Sequence, residues 1–372
     1  MKEINIARVL TAKRREKGTT QDVLADYIGV SKASVSKWET GQSYPDITFL
    51  PKLASYFNIS IDELMDYLPQ MESEDIKKLY HRLAADFSAK PFDEVLASCR
   101  ELIKKYFSCF PLLVKMAALL VNHCMLSRDP QERDEILKEA AGLCRRVHTE
   151  GGDVWLSRDA VSLEAACCLM LNKPQDVLDL MGEEARLLTA DETLISQAYQ
   201  MIGNTRKAKE VLQIMMYQHL LLLSGTAAAY LMLCPEDEKR TDEILRRTLA
   251  LADAYHLEEL HSNTMAQVYL AAAQVCCLQG RREKALELLT RYADLCGRFS
   301  FTLHGDGYFD LLDSWFRDFD LGAQAPRSEK VIRESMLLAL TQNPAFSSLL
   351  EHPLFLNILE TLKTNTGGTA NG

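Results

Sequence analysis

Two stretches of this chain hold polar side chains at spacings that could do chemistry. Residues 20–39 read Thr-Gln-Asp-Val-Leu-Ala-Asp-Tyr-Ile-Gly-Val-Ser-Lys-Ala-Ser-Val-Ser-Lys-Trp-Glu. On a helix beginning near Ser31, Val35 and Trp38 lie three apart and face inward. The opposite face then carries Ala33, Ser36, Lys37 and Thr40, flanked by Lys32 and Ser34. Such a set makes and breaks no covalent bond. Its chemistry is hydrogen bonding and charge. A helix pressed into a major groove about 12 Å wide needs short side chains for close approach and donors for base edges and phosphates.

The second stretch is His304-Gly305-Asp306-Gly307 with Asp310 and Asp313. Its glycines and aspartate are read as a loop and N-cap before a helix holding Phe309, Leu312 and Trp315, in preference to a metal or catalytic site. His256 and His261 are five apart and do not share a helix face as metal ligands would. The ten cysteines include no Cys-x-x-Cys, and their adjacent pairs, Cys167-Cys168 and Cys276-Cys277, fall in apolar helical stretches. They are read as buried, reduced thiols. There is no Gly-x4-Gly-Lys-Ser/Thr loop and no Gly-x-Ser-x-Gly elbow. No catalytic site, metal or cofactor is expected.

The elements that must position residues 31–40 are legible around them. Ile4 to Lys17 is amphipathic and Gly18 stops it. Thr20 caps a second helix that runs through Ile28, and Gly29 ends it. Ser31 caps a third, to about Glu39. Asp46 is a cap for a fourth helix reaching Phe57, and a fifth runs from Ile61 to Tyr67. Leu24, Ala25 and Ile28 form an apolar stripe on the second helix, with Ala25 small where two helices must cross.

Residues 4–66 resemble the Cro/C1-type helix-turn-helix family, also called the xenobiotic-response-element family. The matching motifs are Thr20-Gln21, Leu24-Ala25, Gly29-Val30-Ser31, Ser34-Val35-Ser36-Lys37-Trp38-Glu39, Gly41, Pro45 and Ile61-Asp62-Glu63-Leu64. The resemblance implies a sequence-specific regulator of transcription that binds double-stranded operator DNA. It implies that Gln21 anchors to a phosphate, and that Ser31, Lys32, Ala33, Ser34, Ser36 and Lys37 face bases and nearby phosphates. Thr40 to Tyr44 would lie along the DNA backbone. Arg14 and Glu39 would form a structural pair tying the first helix to the third. Lys13, Arg15 and Lys17 are expected to stay in solvent. Family members commonly dimerise on two half-sites, so a homodimer is expected.

From Ser73 onward apolar residues recur at helical spacing. A pattern repeats within this body. Ser196, Tyr199, Gly203, Ala208 and Leu212 match Ala273, Cys276, Gly280, Ala285 and Leu289 in spacing, and Ala165, Cys168, Asn172, Val177 and Met181 form a worn copy. Small residues let two antiparallel helices approach, and a Gly or Asn ends the first in left-handed geometry. The pattern resembles the tetratricopeptide repeat. The expected fold is therefore all-α: a five-helix lambda-repressor-like DNA-binding domain over residues 1–68, a linker at 69–72, a tetratricopeptide-like α-solenoid over 73–363, and a disordered tail at 364–372.

The body also bears on partners. The combination resembles the quorum-sensing peptide regulators of Gram-positive bacteria, which implies a short signalling peptide on the solenoid, with Asn122, Tyr199, Asn263 and Gln267 as candidate contacts. A helical scaffold for a partner protein, localised to DNA by the head, is the alternative. The chain carries a net charge of −10, yet residues 1–41 hold eight Lys/Arg against five acids, leaving +3 there and −13 elsewhere. DNA contact through the head alone fits that asymmetry. No apolar run reaches the roughly 18 residues of a membrane span, Leu112 to Leu126 coming closest. A cytoplasmic protein with no membrane partner is expected.

Overall fold

The computed structural model describes residues 4–67, 70–184, 191–319 and 321–367. Every regular element among the described residues is helical, and the extended pairing they hold is an isolated antiparallel bridge between Thr302 and Gln324. The fold is all-α. The chain divides into two compact units, Met1–Glu72 with Glu101–Leu113, and Ser73–Arg100 with Val114–Gly372.

The N-terminal head has helices α1 (Ile6–Glu16), α2 (Gln21–Ile28), α3 (Lys32–Glu39), α4 (Leu50–Phe57) and α5 (Ile61–Met65). Side-chain caps fix their starts. Thr20 accepts the N–H of Val23 at 3.3 Å, Ser31 that of Ser34 at 3.2 Å, and Ser60 that of Glu63 at 3.0 Å. Two expectations need correction. Asp46 caps a 3₁₀ turn, Ile47–Phe49, and α4 begins only at Leu50. Pro51 sets that start, because its missing N–H costs nothing in a first turn. The fifth helix stops at Met65, where Asp66 turns left-handed at φ 56°. Leu10, Leu24, Val35, Leu53 and Leu64 are fully buried, packed with Ala25, Ile28 and Trp38. Each large apolar side chain buried this way contributes about 1.5–3 kcal/mol.

The remaining helices are α6 (Ser73–Ala89), α7 (Phe92–Lys105), α8 (Phe110–His123), α9 (Pro130–Glu150), α10 (Val154–Met170), α11 (Pro174–Met181), α12 (Asp191–Met201), α13 (Thr205–Met232), α14 (Glu238–Ala254), α15 (Leu257–Leu260), α16 (Ser262–Leu278), α17 (Arg282–Gly297), α18 (Leu312–Asp318), α19 (Glu329–Thr341) and α20 (Pro353–Gly367). The repeat in the sequence corresponds to three hairpins, α10–α11, α12–α13 and α16–α17. Their turns close identically. Asn172, Gly203 and Gly280 all have positive φ, at 56°, 80° and 75°. Each donates its N–H to the carbonyl three residues back, and the next residue donates to the carbonyl five back. This is the Schellman closure, which satisfies two carbonyls at the helix end. Ser196 and Ala208 meet across one hairpin, where the Ser196 hydroxyl donates to the Ala208 carbonyl at 3.0 Å. Ala273, Cys276, Ala285 and Leu289 are buried in the next. Hairpin α12–α13 packs on α16–α17 through α13 and α16, giving tetratricopeptide-like stacking.

Three details differ from expectation. Helix α13 has 28 residues and is long and apolar enough, by length and composition, to cross a membrane. It packs against α12, α14, α16 and α18. Phe309 precedes its helix, which begins at Leu312, and Asp306 caps a turn instead, accepting the N–H groups of Tyr308 and Phe309. Gly305 is required in that turn, because a Cβ there would lie 2.0 Å from the Phe309 carbonyl oxygen. Helix α20 continues past Thr364 to Gly367, and the rest of the expected tail lies outside the described residues, as do residue 68, the last of the expected DNA-binding domain, and residue 69, the first of the expected linker.

Candidate nucleic-acid interface

Helices α2 and α3 are joined by the Gly29 turn, at φ 86°, with the Gly29 and Val30 N–H groups both donating to the Ala25 carbonyl. Val35 and Trp38 anchor the inner face of α3, and the Trp38 ring packs 5.9 Å from Phe49. That leaves Lys32, Ala33 and Lys37 exposed, with Ser34 and Ser36 half-buried beside them. Tyr44 is exposed in the loop that follows.

Several expected site residues already have partners. Ser31 caps α3 and its hydroxyl shares a 2.9 Å hydrogen bond with Ser34. Thr40 donates its hydroxyl to the Ser36 carbonyl at 2.9 Å. Gln21 donates from its amide to Glu39 at 2.8 Å, which leaves a second amide N–H. Lys32 pairs with Asp22 at 2.8 Å, both side chains being exposed. Among the described residues Lys37 has no carboxylate partner.

Arg14 and Glu39 do meet, through Nε and Nη2 at 2.5 and 2.9 Å, and both side chains are largely buried. Arg14 also donates to the Thr19 carbonyl. Burial pushes the Glu39 carboxyl up, but hydrogen bonds from Arg14 and Gln21 outweigh it and hold the group below its ordinary value. The trio locks α1, α2 and the end of α3 together.

Three other cations, two on α1 and Lys17 just after it, are less free than their sequence suggests. Lys13 pairs with Glu63 at 3.0 Å instead of standing in solvent, and Lys17 bonds the Tyr56 carbonyl with its ammonium 4.1 Å from the ring centre. Arg8 pairs with Asp66 at 2.6 Å. These contacts tie α1 to the end of the head. Sequence separations of 39 to 58 residues gave no local signal for them.

The candidate peptide contacts do not form one cluster by their bonding. Asn122 donates its amide to the buried Tyr80 hydroxyl at 3.0 Å. Tyr199 is half-buried on α12, at the packing position of the repeat. Asn263 and Gln267 are exposed one turn apart on α16. Among the described residues no group of three or more His, Cys, Asp or Glu could hold a metal. All ten cysteines are free thiols and eight are buried. Burial pushes Cys99, Cys144, Cys167 and Cys296 up to about 12 and Cys277 to about 11, away from the reactive thiolate.

A family model described as helix-turn-helix matches residues 10–64. The HTH-type transcriptional activator BcrR of Enterococcus faecalis is 35% identical over 74 residues, 18% of this chain and 36% of that protein. The chain thus spans about a third of that relative's length. The HTH-type transcriptional regulator SinR of Bacillus subtilis (strain 168) is 33% identical over 90 residues, 22% of this chain and 81% of SinR. Among solved structures, the apo form of the competence regulator ComR from Streptococcus vestibularis aligns over 85% of this chain and 97% of its own, at 13% identity. Its TM-score of 0.26 is too low to equate the two folds. The match to SinR over most of its length, together with the capped α2–α3 pair, places this chain in the helix-turn-helix family of Cro/C1-type transcriptional regulators.

Proposed function

We propose that this chain regulates transcription by binding double-stranded operator DNA sequence-specifically as a homodimer, and that its helical body senses a short peptide or another ligand. The observation that carries the reading is the outer face of α3. Its side chains are short or basic, on a helix whose far side is anchored by Val35 and Trp38. Lys37 is the first candidate for a base or phosphate donor. Lys32 becomes a second once it leaves Asp22. Ala33 is short enough to touch a thymine methyl. Gln21 offers its remaining amide N–H to a phosphate, and Tyr44 lies where the following loop would run along the backbone. Ser31, Ser34, Ser36 and Thr40 complete the face, with Ser31 and Thr40 holding its shape.

The homodimer reading is supported by the small number of free cations on the head and by exposed apolar side chains in the body. Leu194, Ile195, Met201 and Ile202, on α12 and the turn after it, are each about half or more exposed, as are Leu222 and Leu223 on α13. Exposed apolar side chains in such number are a feature of association sites. Asn263 and Gln267 are the exposed amides best suited to a peptide backbone.

Selection of bound duplexes from a random DNA pool by the full chain tests the reading. An enriched motif made of two related half-sites is expected, with spacing near one helical turn or a multiple of it. Lys37→Ala should weaken binding to that motif by roughly 1–3 kcal/mol. A pool that enriches nothing would overturn DNA reading by this head, and a single half-site with a monomer in sedimentation would overturn the dimer.

A further inference from the structure

A second candidate site lies within the helical body and is lined by none of the candidate contacts named above. A cavity of about 320 Å³ is lined by Arg327, His81, Thr302, Gln324, Ser328 and Glu329. Arg327 is unusual among the cations of this chain. It is partly buried, and its guanidinium donates to the Ser335 hydroxyl at 3.3 Å. Among the described residues no carboxylate pairs with it. Glu329, on the cavity wall, is occupied by Arg333 at 2.8 Å. Burial pushes Arg327 below the ordinary guanidinium value. A partly desolvated charge without a counter-ion is unfavourable, and an anion beside it would relieve that cost.

The surroundings offer no hidden compensation. Tyr80 is fully buried and its hydroxyl accepts from Asn122. His123 is buried against Phe87, and burial holds it down to about 4, so it is neutral. Ser328 caps α19, a helix of 13 residues, so the positive end of that helix lies at the cavity wall. Hydroxyl and amide side chains from Thr302 and Gln324 add donors. The wall beside them is apolar, with Phe301 and Ala84.

We propose that this cavity binds the oxyanion of a small molecule, a carboxylate or phosphate group, with Arg327 as its counter-ion. A guanidinium offers two parallel N–H groups to either group. The volume sits at the lower end of ligand pockets, which run from about 300 to 1,000 Å³, and so fits a small organic acid or phosphate ester better than a peptide. The site goes beyond the reading of the head. It would stand if operator binding failed, because it is measured by stability and not by DNA.

Thermal unfolding of the full chain, with inorganic phosphate or succinate titrated at constant ionic strength, tests it. A saturable rise in Tm with one or both anions is expected, and chloride alone should give none. The anion with the larger rise identifies the group the cavity prefers. Arg327→Met should abolish the rise while melting no lower than the unliganded wild type, since it removes an uncompensated charge. Should that variant not fold, Gln324→Glu places a carboxylate in the same cavity and should blunt the rise while preserving the fold. A rise with neither anion overturns the site. So does a rise that survives Arg327→Met, or one that is unchanged in Gln324→Glu.

Discussion

At the scale of single residues, the reading face of α3 is held in check by its own neighbour. Lys32 is paired with Asp22, so a phosphate or base must displace a carboxylate before Lys32 can contribute. Asp22→Asn removes both the competing partner and a negative charge beside the DNA. It should tighten operator binding roughly two- to five-fold, the scale of one exposed ion pair. Fluorescence anisotropy on the selected operator checks this, and unchanged or weaker binding would show that Lys32 does not face the duplex. Glu39 carries a different prediction. Its carboxyl is held below the ordinary value of 4.5, so its contribution to stability is present above that pH and is lost as pH falls below it. Glu39→Gln should cost the head about 3 kcal/mol at neutral pH, the low end for leaving a buried charge unpaired. The gap should narrow below about pH 4.5. Amide-exchange protection in α1 and α3 of the full chain reads it locally, and a gap that is constant with pH sinks the assignment. The Arg14–Glu39 pair was legible from motif resemblance. The Asp22–Lys32 pair was not, because both residues look like ordinary surface charges until the Gly29 turn brings α2 and α3 together.

At the scale of elements, the strongest sequence signal outside the head was the repeated spacing around Asn172, Gly203 and Gly280. It was legible because a helix end is local chemistry: a residue tolerant of positive φ, flanked by small contacts on the two helices. Helix α13 was harder to bound. Gly225 lies inside it, and no proline or strong cap interrupts Thr205–Met232. The loop at Gly305 was harder still, because Gln213 bonds the Tyr308 carbonyl, Asp310 and the Leu311 N–H from more than 90 residues away. The turns yield a paired prediction. Gly280→Ala meets no neighbouring atom within 4 Å, so its whole cost is the left-handed backbone, about 1–2 kcal/mol. Asn172→Gly removes a smaller strain of the same kind in the folded chain and frees the unfolded one, so it should change stability little. Thermal denaturation of both variants decides it. A Gly280→Ala chain as stable as wild type would mean that the hairpin closes in some other geometry.

At the scale of the whole molecule, charge decides how the head can work. Residues 1–67 hold nine Lys/Arg and nine Asp/Glu, so the complete head is neutral although its first 41 residues are basic. Within it, Arg8, Lys13, Arg14 and Lys17 are engaged in holding α1 to the rest of the head. The exposed cations left on α1, α2 and α3 are Arg15, Lys32 and Lys37. Binding strength in salt follows from that count. Each phosphate neutralised on duplex DNA contributes about −0.9 to the slope of log K against log salt, so one head should give about −3 and two heads about −5. A single head would therefore bind weakly at physiological salt. Two heads joined through their paired bodies would gain from effective concentration without any new contact to DNA. The measurement is a salt titration of the full chain on a duplex carrying one half-site and on a duplex carrying two. A slope near −3 on the single site that steepens toward −5 on the pair supports reading by a dimer. Equal slopes on both duplexes would mean that only one head ever engages. The acidic body would then have to act by some means other than setting the distance between two heads.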